Sequence, residues 1–324
     1  MLKKLCLMVI ILLMVAPALA QDALLSFTTE YEQIFGIAYS PDGSLLVASS
    51  FEVVEGSDND LMTGLQLFDS ASGEVLLTLE TETHKPVSFA FSPDGTLLVT
   101  GAQNGEVALW DLETLETVLT FPAHETVPQI LFSPDGTKML TGDSSGIIVW
   151  DVETIEPTLV LSPQDIDAPQ LLSVLVSPDN SLVTGIYAPD VLVFWDIADG
   201  TEILRQTVGY DLEPYAALFV PDETRSEILL AYADIEVRDV LDNSITATYD
   251  IESVAFVMRF SPDNSLLATA DINDSVILWD AASQEMLLSI VEDAGFIHDM
   301  AFAPDGSVLT VAHGDGMISV FSLE

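Results

Sequence analysis

The sequence predicts an all-β chain: a seven-bladed β-propeller of four-stranded antiparallel blades, with the N-terminal strand closing the last blade. Three observations carry that expectation. A turn reading Ser-Pro-Asp-Gly, or a close variant, occurs seven times, at Asp42, Asp94, Asp135, Asp179, Asp222, Asp263 and Asp305. Successive aspartates are 52, 41, 44, 43, 41 and 42 residues apart, the period of one four-stranded blade. The segments beside each turn alternate apolar and polar residues and are rich in β-branched side chains, as half-buried strands are.

The first 20 residues stand outside the repeat. Met1-Leu-Lys-Lys4 is a basic start, Leu5 to Ala16 is an apolar run, and Pro17-Ala-Leu-Ala20 ends as a cleavage site does, so residues 1–20 read as a signal peptide. The run is about a dozen residues, against roughly 20 for a membrane-spanning helix, so no membrane insertion is expected after cleavage. Residues 21–324 are expected to form a single domain. Cys6 is the one cysteine and leaves with the signal, so the folded part must rely on buried core rather than disulfides. The expected location is exported: periplasmic, cell-surface or extracellular.

Charge narrows the partners. The chain carries 52 acidic and 8 basic side chains, a net charge of −44, and losing Lys3 and Lys4 with the signal brings it to about −46. Such a surface repels phosphate backbones and anionic lipid, so nucleic acid is not an expected partner. A protein or peptide, basic in character, fits it. Solubility or a saline milieu would account for the acidity equally well.

Within a unit the chemistry is local. Proline pre-sets φ in the turn, aspartate bonds back to nearby backbone, and Gly95, Gly136 and Gly306 accept positive φ. Asn180 and Asn264 stand in for that glycine, and Glu223 does so in the fifth unit. In the second unit Val87–Phe91 precedes the turn and Thr96–Thr100 follows it. Gln103-Asn-Gly105 turns into a third strand, Glu106–Asp111, and Leu112-Glu-Thr114 into a fourth, Glu116–Phe121.

This unit resembles a WD40 repeat. The Trp-Asp pair that ends the third strand stands at Trp110-Asp111, Trp150-Asp151, Trp195-Asp196 and Trp279-Asp280, and is relaxed to Phe68-Asp69, Arg238-Asp239 and Phe321-Ser322. The likeness runs from about Leu24 to Leu323 and points to an exported, bacterial member of the family. It implies a hydrogen-bonded set of His, Ser/Thr, Asp and Trp within each blade. His84, Thr100 and Trp110 fit the second unit, with Asn104 where aspartate is expected. His124, Thr141 and Trp150 fit the third, with Ser145 at the aspartate place. The other units lack the histidine, which puts the rigidity from that set in doubt.

The seventh unit supplies only three strands before the chain stops. Leu24-Leu-Ser-Phe-Thr-Thr-Glu30 matches Leu76-Leu-Thr-Leu-Glu-Thr-Glu82, so the N-terminal strand is expected to complete the last blade and remove an open edge.

First strands line the channel of a propeller. Counting back from each turn aspartate, positions three, five and seven are nearly all apolar, as in Phe91, Phe89 and Val87, or Phe302, Met300 and His298. They are expected to pack between blades. The opposite face then points into the channel, its inner position reading Gly36, Ser88, Gln129, Ser173, Ala216, Val257 and Asp299. Only Gln129 and Asp299 could ligate a metal, which argues against a metal or quinone centre on the axis. Arg259 and Asp299 fall on neighbouring first strands, as an ion pair or as two solvated charges. The histidines show no metal-ligand spacing, and no nucleophile elbow or phosphate loop occurs. No cofactor is expected. An insertion in the first unit holds Glu55, Asp58 and Asp60, a weak calcium candidate whose spacing is not that of an EF-hand.

The resemblance places partners on the top face, built from the loops leading into each first strand and the turns before each third strand. Those loops hold Glu30, Glu32, Glu82, Glu125, Asp165, Asp167, Asp190, Asp211, Glu213, Glu292, Asp293 and Asp315. Tyr187, Tyr210, Tyr215 and Tyr232 cluster in the fourth and fifth units, so with Asp211 and Glu213 they mark the expected binding sector. The reading is an exported, non-catalytic scaffold that binds a protein, peptide or envelope component through acidic top-face loops. The alternatives are an enzyme with its site in those loops and a calcium-dependent surface protein.

Overall fold

The computed structural model describes residues 23–30, 33–53, 61–79, 86–126, 128–163, 170–208, 214–221, 227–251, 253–291 and 295–323. All regular elements among them are strands, and they form seven four-stranded antiparallel sheets. The innermost strands are Gln33–Tyr39, Pro86–Phe91, Gln129–Phe132, Leu171–Val176, Ala216–Phe219, Ala255–Phe260 and Ile297–Phe302, and they define blades 1 to 7 in that order. Each touches the innermost strand of the next blade, and that of blade 7 touches that of blade 1, so the ring is closed.

The seam is made as the repeat requires. Leu25–Thr28 is the outer strand of blade 7 and pairs antiparallel with Met317–Ser322, Ser26 facing Ser319 and Phe27 facing Ile318. Leu24 N–H donates to the Val320 carbonyl at 2.8 Å and Thr29 N–H to that of Gly316 at 2.9 Å, extending the ladder at both ends. The Phe27 ring lies 5.0 Å from that of Phe68 in blade 1, so the first strand ties the two ends of the chain to each other and to the neighbouring blade.

The core is divided. Seven apolar clusters lie among the described residues, one at each junction between consecutive blades. Positions three and five of the innermost strands enter them, as Phe91 and Phe89 do between blades 1 and 2. Stability therefore comes from stacking neighbours, since no sheet buries both faces alone.

Hydroxyl chemistry sets the bottom turns. Ser92 donates to the Asp94 carboxylate at 2.6 Å, and that oxygen also accepts the Thr96 N–H at 3.1 Å and hydroxyl at 2.9 Å. Ser92 Oγ in turn accepts the Leu97 N–H at 2.9 Å. The same bonds surround Asp42, Asp135, Asp179 and Asp263. Asp305 keeps only the Ser307 bonds because Ala303 replaces the serine, and Asp222 lies outside the described residues. Asn180 and Asn264 take φ of 59° and 61°, the left-handed conformation asparagine tolerates. The aspartates that follow Trp110, Trp150 and Trp279 cap the next turn: Asp111 accepts from Thr114 N–H at 2.7 Å and Asp280 from Ser283 N–H at 2.7 Å, as Asp151 does from Thr154.

Candidate functional site

The blades are braced by a few buried polar sets. Trp110, Trp150 and Trp279 donate their indole N–H to Thr100, Thr141 and Thr269 at 3.0, 2.9 and 3.0 Å. In blade 3 the Thr141 hydroxyl also meets His124 Nε2 at 2.8 Å. His124 Nδ1 lies 3.0 Å from the Asp143 carboxylate, a charge contact rather than an aligned hydrogen bond. Burial works to raise the Asp143 carboxyl, but the Ser145 hydroxyl and N–H, the His124 imidazole and the Thr126 hydroxyl outweigh it and hold the group at about 2. The acid of this set is thus Asp143, at the end of the second strand two residues past Thr141, not the residue at position 145. His84 lies outside the described residues.

Blades 4 and 5 solve the same problem differently. Gly185 replaces the threonine beside Trp195, and the Tyr187 ring occupies the space, edge-on to the indole at 6.4 Å. A Cβ at Gly185 would sit 2.7 Å from that ring. Tyr187 is only 1% exposed, and burial pushes its hydroxyl far above the usual phenol range. In blade 5 Arg238 stands at the Trp place, buried, bridged to Glu236 at 2.7 Å and bonded to the Asn243 carbonyl at 3.0 Å.

This corrects the expected tyrosine sector. Tyr187 closes the second strand of blade 4 and Tyr232 follows that of blade 5; both are core residues and present no surface to a partner. Tyr215 is 57% exposed. Tyr210, Asp211 and Glu213 lie outside the described residues, as do Glu55, Asp58 and Asp60. Asp190 is likewise buried, whereas Glu30, Glu125 and Asp315 are exposed.

The channel forms a cavity of about 660 Å³ lined by Phe35, Gly36, Ser88, Gln129, Arg259 and Asp299 among others. Its polar groups join blades. Ser88 donates to the Pro128 carbonyl of the next blade. Gln129 donates to Leu172 O at 2.7 Å and accepts from Val174 N–H at 3.0 Å. Arg259 of blade 6 and Asp299 of blade 7 form an ion pair at 2.5 Å. Asp299 reaches on to blade 1 by accepting the Ile37 N–H at 3.0 Å. Burial pushes its carboxyl up, against the Arg259 guanidinium and the N–H donors of Ile37 and Met300. Gly36 gives the carboxylate room here: a Cβ would sit 3.2 Å from Asp299 Oδ2, which would have to shift by a few tenths of an ångström.

The innermost strands depart from strict alternation in a regular way, although Leu172 and Phe256 still pack against the junctions between blades 4 and 5 and between blades 6 and 7 as expected. Position seven, assigned above to the packing between blades, is skipped by the ladder in five blades: Phe35, Val87, Leu172, Phe256 and His298 are each an extra, unpaired residue. A bulge re-aims the side chain, and Phe35 and Val87 accordingly line the channel beside Gly36 and Ser88. Phe35 is 40% exposed and stacks on Phe51 at 4.1 Å. Over blades 5 to 7 the rings run on continuously: Tyr215 to Phe256 at 5.7 Å, Phe256 to Phe296 at 5.3 Å, Phe296 to His298 at 5.1 Å. Burial pushes the His298 imidazole below its ordinary value, opposed by the Asp299 charge.

Comparison with known proteins fits this geometry. The family described as WD domain, G-beta repeat matches residues 73–111, 115–151, 243–280 and 287–322. The chain carries WD40 repeats. The four matched units each run from the outer strand of one blade through the Trp-Asp position of the next, so WD40 units and structural blades are offset by one strand, as the seam demands. The chain is similar to transcription initiation factor TFIID subunit 5 of Caenorhabditis elegans, 22% identical over 84% of this chain and 35% of that protein. It is similar to target of rapamycin complex subunit LST8 of Mus musculus, 19% identical over 80% of this chain and 66% of that one. It also matches small ribosomal subunit protein RACK1 of Drosophila melanogaster, 26% identical over 33% and 36%. The chain spans about a third of the first of these relatives. Among the described residues no helix is long and apolar enough to cross a membrane, and no cluster of three or more His, Cys, Asp or Glu is placed to hold a metal ion.

Proposed function

We propose that this protein is an exported, non-catalytic WD40 scaffold that binds a protein or peptide partner through its top face. The observation that carries the reading is how the channel spends its polar groups. Gln129, Ser88, Arg259 and Asp299 are all engaged in bonds between blades, so they stiffen a platform instead of forming an acid–base or nucleophile pair. The relatives support it by name: two are subunits of multi-protein complexes and one is a ribosomal subunit protein. Export rests on the segment Met1–Ala20, whose basic start, short apolar run and Ala-x-Ala end have the form of a signal.

Each half has its test. Export predicts that protein recovered from its own cells begins at Gln21; a recovered chain that still carries Met1–Ala20 in full refutes it. For the binding face, a single cysteine is placed in a Cys6→Ala chain at Asp315 on the top, or at Glu113 on the bottom, and coupled to polyethylene glycol. Partner capture from native extract should be lost with the Asp315 conjugate alone. Equal capture by both conjugates refutes the top face as the binding surface.

A further inference from the structure

The aromatic row over blades 5 to 7 lies on the top face, and resting on the reading just given, we propose that it docks a protein segment through arginine or lysine side chains. The row has a repeating neighbour. Tyr215 N–H bonds Ala231 O, at the start of the turn that carries exposed Asp234. The strand of Phe256 is joined to the turn that carries Asp274 by the bond from Ile272 N–H to Val254 O. Phe296 O accepts the Gly314 N–H at 2.7 Å, next to exposed Asp315. In three consecutive blades, then, the entry to the innermost strand carries an aromatic ring and is joined by a backbone bond to a tight turn bearing a carboxylate. An aromatic face attracts a cation through its quadrupole, and a nearby carboxylate adds direct attraction.

Exposure and charge favour that occupant. Tyr215, Ile272 and Phe296 are 57%, 49% and 42% exposed, so a partner's apolar stem has surface to cover. The basic side chains with described positions, Lys138, Arg205, Arg238 and Arg259, are each held by a carboxylate of the chain itself. Among the described residues, therefore, the top of these blades offers rings and acids with no unpaired cation to compete. Guanidinium suits the place best because it stacks on a ring while bonding a carboxylate in its plane.

The probe is a fluorescein-labelled, 12-residue Gly/Ser peptide with three arginines, read by anisotropy. Its control replaces each arginine by citrulline, which keeps the shape and removes the charge. The arginine peptide is expected to bind at least tenfold tighter than the citrulline one. Tyr215→Ala with Phe296→Ala should weaken it about tenfold, Tyr215→Phe less than about twofold, and Val160→Ala with Ile203→Ala on the outer strands not at all. Both ring truncations are at exposed positions, and an unchanged melting curve verifies the fold. Equal affinity for the two peptides, an arginine peptide that binds the double ring variant as it binds the parent, or no binding at about 1 mM peptide overturns the proposal. If that happens while the Asp315 conjugate still blocks partner capture, the top-face reading stands and only the cation docking falls.

Discussion

Replacing Thr141 by valine should cost about 3 kcal/mol, and replacing Thr269 about half as much. Valine keeps the shape of threonine, so neither change opens a cavity; each removes one hydroxyl from a site at most 2% exposed. At Thr269 the loss strands one indole N–H, that of Trp279, now bonded at 3.0 Å. A buried donor left without its partner costs about 1–3 kcal/mol. At Thr141 two buried groups lose their partner: the Trp150 indole at 2.9 Å and His124 Nε2 at 2.8 Å. The His124 ring, its side chain 1% exposed, is then held only from the Asp143 side. Urea unfolding followed by both tryptophan fluorescence and circular dichroism is the assay, with coincident curves establishing that the transition is two-state. With a slope of about 3 kcal/mol per molar, the Thr141 variant should shift the midpoint down by about 1 M and the Thr269 variant by about half that. Equal shifts, or none in the Thr141 variant, would refute the idea that the blade 3 set acts as a unit.

Gly185→Ala should destabilise by about 1–3 kcal/mol, because the new methyl meets the Tyr187 ring, and Gly185→Ala with Tyr187→Leu should recover part of it in the same urea assay; a neutral Gly185→Ala contradicts the packing described. Acid should destabilise in a defined window. The Asp263 carboxyl is held at about 2 by the Ser261 hydroxyl and the Ser265 N–H and hydroxyl, and Asp143 is held at about 2 as well. Their folded values lie below the unfolded one of roughly 3.9, so the stability they contribute is present above about pH 4 and lost as pH falls towards 2. The urea midpoint should drop across that window, and less steeply in Asp263→Asn; an identical slope in that variant contradicts the role given to the turn.

The architecture was legible because each blade is specified locally. A proline, an aspartate and flanking hydroxyls build the turn from neighbours in sequence, and the repeat then fixes the number of blades and the missing strand at the seam. The site was less legible because it depends on departures from the regular pattern. Strict alternation sends Phe35 and Val87 into the junctions between blades; the bulge that turns them towards the channel lies in the cross-strand register, which a single strand does not reveal. Tyr187 and Tyr232 looked like surface aromatics by their nearness to loops. The signal that Tyr187 is core was Gly185, a residue with no side chain where blades 2, 3 and 6 carry threonine. Asp143 was hidden because it stands at the end of the second strand, two residues past Thr141, and not in the turn beside the glycine. Arg259 and Asp299 were placed on adjacent strands by counting alone, but only their geometry distinguishes an ion pair from two solvated charges.

The closed ring is tested most directly by a disulfide across the seam. In a Cys6→Ala chain, Ser26→Cys and Ser319→Cys fall on directly opposed residues of antiparallel strands, within the Cα separation a disulfide spans. The closed disc predicts that the pair oxidises readily in the native protein, joining positions 293 residues apart and giving a faster-migrating species on a denaturing gel that reverts with reductant. Ser26→Cys with Ser289→Cys, which places the second thiol in blade 6, should stay reduced. A seam pair that remains reduced under the same conditions, or a control pair that closes as readily, would contradict the closure.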